Sequence, residues 1–161
     1  MKKIHLLRVV MSSLFLSLAV ACGDTSPEPA TEDVPGQELA GTWAVSEAND
    51  VTGPAADQFT GFSISITANA SAVSYTTTGG GDPLVFPEQG TFIVEATDNF
   101  EDGAEVLREP DNVPVSVRIS EDGDVMDMTF TIDIGTTATN GRMAGINGEY
   151  NFTLNRQGSS N

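Results

Sequence analysis

From position 39 onward apolar and polar residues alternate with a period of two, the spacing that turns one face of an extended strand to a core and the other to water. The cleanest run sets Met126, Met128, Phe130, Ile132 and Ile134 against Asp127, Thr129, Thr131 and Asp133. Phe62, Ile64 and Ile66 repeat the pattern, and Asn69-Ala70-Ser71 turns the chain into Val73, Tyr75 and Thr77, predicting a hairpin. Trp43 and Val45 share a face of a first strand, Phe92 and Val94 mark another over 90–95, and 105–109 predicts an edge strand. Val113, Val115, Val117 and Ile119 form a strand whose Pro114, lacking an N–H, places its start at an edge or bulge. Glu121-Asp122-Gly123-Asp124 reads as a hairpin turn, and the final strand buries Ile146, Gly148, Tyr150, Phe152 and Leu154. Two stretches break the alternation. Residues 47–59 predict a long connection or lid with one helical turn, and Leu84-Val85-Phe86-Pro87 is too punctuated by proline for a central strand and predicts a cover over one end of the core.

About eight strands, turns every 8 to 12 residues and no helical periodicity predict an all-β fold. The expected architecture is a single antiparallel up-and-down barrel or sandwich spanning 39–157, with a frayed tail over 158–161. Periodicity alone does not choose between barrel and sandwich, because it leaves strand pairing across the longer loops open.

The first 38 residues follow different rules. Lys2, Lys3 and Arg8 precede an apolar run over 9–20 that ends in small residues. That run is shorter than the roughly 20 residues a spanning helix needs, so 1–21 is expected to be a cleaved leader. Leu18-Ala19-Val20-Ala21-Cys22 resembles the bacterial lipobox, with Ala19 where leucine is commonest. The resemblance implies that Cys22 is acylated and becomes the first residue of a lipoprotein, anchored stably through two or more acyl chains. By the same resemblance, Gly23 after the cysteine implies the outer membrane, with the periplasmic and surface faces both open. The alternative is an ordinary secretory leader that leaves Cys22 a free thiol. From the lipidated Cys22 to residue 38 the chain is acidic, nearly devoid of apolar residues and interrupted by Pro27, Pro29 and Pro35, which predicts a disordered stalk. Fully stretched, it reaches roughly 50 Å.

Charge narrows the function. Without the leader the chain keeps Arg108, Arg118, Arg142 and Arg156 against 23 carboxylates, a net charge of −19. Nucleic acid is therefore not an expected partner, and anionic lipid surfaces repel the domain. The leader also takes away the only histidine and both lysines, leaving no means to build a Ser-His-Asp triad, a Cys-His pair, a lysine nucleophile or a histidine zinc site. Carboxylate pairs remain, but no aromatic sugar platform accompanies them, and the chain is read as non-enzymatic. Asp98-Asn99-Phe100-Glu101-Asp102-Gly103, with five residues intervening before Glu109, follows the spacing of a Ca²⁺ loop except that Phe100 takes the third ligand position. Asp98, Asp102 and Glu109 are thus the candidate metal ligands, set against the blander reading of a solvated acidic turn. No other cofactor is expected.

Gly41-Thr42-Trp43 resembles the Gly-x-Trp signature of lipocalins. That resemblance implies an eight-stranded barrel whose tryptophan closes one end beneath an arginine from the last strand, a place Arg156 fits. A lipobox, acidic stalk, Gly-x-Trp strand and terminal Tyr150-Asn151-Phe152-Thr153-Leu154 together are similar to lipocalin-like lipoproteins of the Bacteroidota. The implied function is a lipid-anchored cell-envelope protein whose barrel binds a small hydrophobic ligand, with Trp43, Phe62, Ile64, Tyr75, Met128, Phe130 and Tyr150 as candidate lining. The alternative is a filled-core structural or adhesion module that meets another envelope protein through 47–59 and 96–104. A cavity of about 300 Å³ or more favours the first and a packed interior the second.

Overall fold

The computed structural model describes residues 34–135 and 145–158. The described residues fall within one compact unit, Asp33–Asn161. The leader, Cys22 and the stalk up to residue 33 lie outside the described residues, as do 136–144 and 159–161. No helix among the described residues is long and apolar enough to cross a membrane.

This unit is built from β1 (Gly41–Ala44), a two-residue β2 (Val51–Thr52), β3 (Ser63–Asn69), β4 (Ala72–Thr78), β5 (Gln89–Ile93), β6 (Ala104–Glu109), β7 (Val113–Ile119), β8 (Val125–Ile132) and β9 (Gly148–Gln157). Every pairing is antiparallel, and β1 pairs with both β3 and β9, so the sheet closes on itself as an eight-stranded barrel with β2 as the extra strand. The long β9 makes this closure possible. One of its edges pairs with β8 from Gly148 to Asn155, while the other takes β2 at Asn151 and Phe152 and β1 at residues 155–157.

Alternation produces the two faces as expected. Met126, Met128, Phe130 and Ile132 are buried while Asp127 and Thr131 are exposed, and Tyr150, Phe152 and Leu154 are buried on β9. On the outside, hydroxyl and amide groups pair across strands: Thr42 with Ser65 at 3.0 Å, Ser63 with Thr78 at 3.0 Å, and Thr129 donating to Asn151 at 2.8 Å. Such pairs each contribute a few tenths of a kcal/mol and help hold register.

Closure corrects one expectation. Residues 105–109 were expected at an edge, but β6 pairs with β5 on one side and β7 on the other, because a closed barrel leaves its members no free edge. Pro114 agrees with its rule: it faces Leu107 of β6, while pairing of β7 with β8 begins one residue later at Val115. Residues 34–38, read as stalk, pack on the domain: a Cβ on Gly36 would lie 2.9 Å from the Val73 side chain and 3.4 Å from Val94.

Up-and-down order sorts the connections into two ends. The base carries the 34–40 segment, the 70–71 turn, 94–103 and 120–124, and the mouth carries 45–62, 79–88, 110–112 and, among the described residues, 133–135 and 145–147.

Candidate functional site: the barrel interior and its mouth

All seven residues expected to line a ligand face inward, and none is more than 3 % exposed. Several of them pack against one another or against further rings. Phe62, Phe130 and Phe152 meet ring to ring, with centroids 5.1 Å apart for Phe62–Phe152 and 5.6 Å for Phe130–Phe152, and Tyr150 stacks on Phe130 at 5.6 Å. Two further rings come from mouth loops. Phe59 ends the 3-10 turn Ala56–Phe59 and packs edge-on against Phe62 and Phe152. Phe86 ends the 82–86 turn and touches Phe62, Tyr75 and Phe130 at 5.3 to 5.6 Å. Each such edge-to-face pair adds about 0.5–1.5 kcal/mol beyond the burial itself.

The loop chemistry explains why Phe86 points inward. The Asp82 backbone carbonyl accepts the N–H groups of Val85 and Phe86, and its Oδ1 accepts that of Leu84 at 3.0 Å. This tight turn leaves Leu84 half exposed at the tip and drives Val85 and Phe86 into the barrel. The expected cover over the core is therefore an insertion into it.

Beneath Phe86 lies Arg108, fully buried on β6. Its guanidinium lies against both Phe86 and Phe130, with Cζ 4.5 and 4.8 Å from their centroids. Nε and Nη2 donate to the two carboxylate oxygens of Asp111 at 3.1 and 2.6 Å, and Nη2 also donates to the Val85 carbonyl at 3.0 Å. A buried cation needs such pairing. Nη1, however, has no hydrogen-bond partner among the described residues, and neither does the Tyr75 hydroxyl. A buried donor left unpaired costs about 1–3 kcal/mol. Burial pushes the Tyr75 hydroxyl up to about 12, with the positive charge of Arg108 pulling the other way and Asp111 adding to the rise. Tyr150 is also raised by burial; its hydroxyl donates to the Ile146 carbonyl at 2.9 Å.

Arg108 is the residue that sequence reasoning missed. On a strand reading Val106, Leu107, Arg108, Glu109, its phase with inward-facing Val106 was the available signal, and charge argued against using it.

The base is closed differently. Trp43 is fully buried and its Nε1 donates to the Leu39 carbonyl at 2.9 Å. Arg156, opposite Trp43 in the β1–β9 register, lies 4.1 Å above the indole. Gly41 leaves the space for it: a Cβ there would sit 2.8 Å from Arg156 Nη1, on a backbone with φ 141°. This is the tryptophan–arginine closure that the Gly-x-Trp resemblance implies.

The three carboxylates with Ca²⁺-loop spacing are not brought together. Asp98 Oδ2 accepts the Glu95 N–H at 2.8 Å and Asp102 Oδ2 accepts from Asn99 at 2.8 Å, both at the base. Glu109 lies at the far end of β6, about 15–20 Å along an extended strand, where it accepts from Thr91 at 2.9 Å. Phe100, at the third ligand position, is a core residue. Among the described residues no group of three or more His, Cys, Asp or Glu side chains is placed to hold a metal ion.

No family model, curated protein or solved structure matches the chain.

Proposed function

We propose that the protein is a non-enzymatic, lipid-anchored component of the cell envelope whose barrel, filled in its resting state, acts as a scaffold that meets other envelope components through its end loops. The observation that carries this reading is the Phe86 ring seated among Phe62, Tyr75 and Phe130, where a permanently hollow barrel would hold its ligand. Filling by large rings stabilises the fold, since a fully buried phenylalanine contributes roughly 1.5–3 kcal/mol, but leaves no preformed container. Two features of the sequence support the remainder. The lipobox-like stretch ending in Cys22 supplies the anchor, and the acidic stalk holds a strongly negative domain away from anionic headgroups.

Native mass spectrometry of the fragment from Gly23 onward, secreted and purified gently with and without Ca²⁺, tests the filled barrel. The expected spectrum is the bare chain in both conditions. An extra mass of several hundred daltons that leaves on denaturation would refute it, and a Ca²⁺-dependent gain of one ion would restore the loop around Asp98. In the full chain, Cys22→Ser should move the protein from the membrane fraction to the soluble one; unchanged membrane association would remove the anchor from the reading.

A further inference from the structure

Tyr75 Oη and Arg108 Nη1 are the buried polar side-chain atoms without a hydrogen-bond partner among the described residues, and they flank the same ring. The Phe86 centroid is 5.5 Å from that of Tyr75 and 4.5 Å from Arg108 Cζ. Gly90 makes the room in which the hydroxyl sits, because a Cβ there would come within 2.6 Å of Oη. The positive charge of Arg108 acts on the Tyr75 hydroxyl, opposing the rise that burial causes.

The Phe86 ring that both residues touch is held by a turn rather than by a strand. Phe86 lies in 79–88, outside the sheet ladder, and the bond from Arg108 Nη2 to the Val85 carbonyl ties that segment to the barrel wall. Withdrawal of 82–87 would remove one aromatic ring from the interior and bring both donors to the surface of the space it leaves.

Charge decides what could take that space. The Asp111 carboxylate already neutralises Arg108 through two of its nitrogens, so a second carboxylate would bring unbalanced negative charge into a buried site. A neutral carbonyl oxygen, with two lone pairs, can accept from Nη1 and from the phenol together and adds no charge. The walls contributed by Phe62 and Phe130 suit an aromatic or cyclic body.

We infer that Arg108 and Tyr75 form a recognition point for one neutral acceptor oxygen on an apolar, ring-sized molecule, such as an aryl or cyclic ketone, which replaces the Phe86 ring in the barrel. This goes beyond the scaffold reading, in which the filled barrel is the resting state. A protein found bare by mass spectrometry leaves it standing, because the ligand must first displace Phe86 and its apparent affinity falls by the fraction of molecules in which that ring is out.

The test uses Phe86→Ala and a matched probe pair, acetophenone and ethylbenzene, with benzoate as the charged arm, read by calorimetry. Acetophenone should bind about tenfold more tightly than ethylbenzene, a difference of about 1.4 kcal/mol. That preference should shrink towards parity in Phe86→Ala/Tyr75→Phe, and the wild-type chain should bind acetophenone more weakly than Phe86→Ala does. Equal binding of the pair, a preference that survives Tyr75→Phe unchanged, or tightest binding of benzoate would each overturn the inference. Should Phe86→Ala not fold, Tyr75→Phe in the otherwise native chain decides. Its Tm without probe should match or exceed that of wild type, since the hydroxyl removed had no partner, and saturating acetophenone should raise the wild-type Tm more than that of the variant. A lower Tm for the unliganded variant would show a structural partner such as a bound water and overturn the inference, as would equal rises with acetophenone.

Discussion

Removing the Arg156 guanidinium should unlatch the base of the barrel. It ties two base segments to β9: Nε donates to the Gly123 carbonyl at 2.7 Å, Nη1 to Ala40 at 2.8 Å and Nη2 to Glu38 at 3.1 Å. Its Cζ also lies 4.1 Å from the Trp43 ring. A hydrogen bond from a charged donor contributes about 1.5–3 kcal/mol when buried, and Arg156 is only half buried, so about 1 kcal/mol for each is the appropriate scale. The stacked cation adds about 0.5–1 kcal/mol. Arg156→Ala should therefore lose about 3–4 kcal/mol, or about 10 °C in Tm for a domain of this size. Arg156→Lys keeps the charge, but one ammonium cannot reach three carbonyls in a planar fork, and it should lose about 2 kcal/mol. Arg118 provides the control: it is exposed and donates to the Glu101 carbonyl at 3.2 Å, so Arg118→Ala should change stability by less than about 0.5 kcal/mol. Urea unfolding followed by the fluorescence of Trp43, the only tryptophan, measures all three. A loss below about 1 kcal/mol for Arg156→Ala, or a lysine variant as stable as wild type, would refute the latch.

Two further perturbations probe the mouth. Asp111→Asn leaves the Arg108 charge buried beside a neutral amide and should cost about 3 kcal/mol in urea unfolding, while Arg108→Met/Asp111→Asn, which removes the charge, should recover most of that loss; equal stability of the two variants would contradict the pairing. Tyr75 holds its proton more tightly folded than unfolded, so its contribution is complete below pH 10 and declines as pH rises from about 10 towards 12. Over that window stability should fall by roughly 2–3 kcal/mol from this group alone, Tyr75→Phe should lack that part of the fall, and the phenolate absorbance of the folded protein should lag behind that of free tyrosine. An ordinary titration of both tyrosines in the folded state would contradict the burial argument.

Much of the fold was legible as period-two alternation, because a half-buried strand must sort its side chains between core and water. The long pattern on β8 gave that strand to within two residues, and its partner β9 was read from the same logic. Phe86 was legible only in outline: proline showed that 84–87 was no central strand, but how deep the segment goes depends on the Asp82 turn and on the rings waiting inside. The Ca²⁺-loop spacing misled because it presumes a loop that curls round an ion. Here the residues after Gly103 run extended as β6 and carry Glu109 away from Asp98.

What the sequence determined by itself was therefore local: which segments are extended, which face of each is apolar, where the turns fall, and that histidine, lysine and thiol chemistry is missing from the domain. Those properties depend on neighbours a few positions apart, and alternation and composition report them directly. Tertiary structure decided the rest. It closed the sheet through the two-edged β9, removed the edge expected at β6, laid Arg156 over Trp43, and set Arg108 against Phe86 and Phe130 with Tyr75 nearby. Each of those contacts joins residues far apart in the chain, and whether an inward face encloses a cavity or meets another ring depends on which strands end up opposite one another.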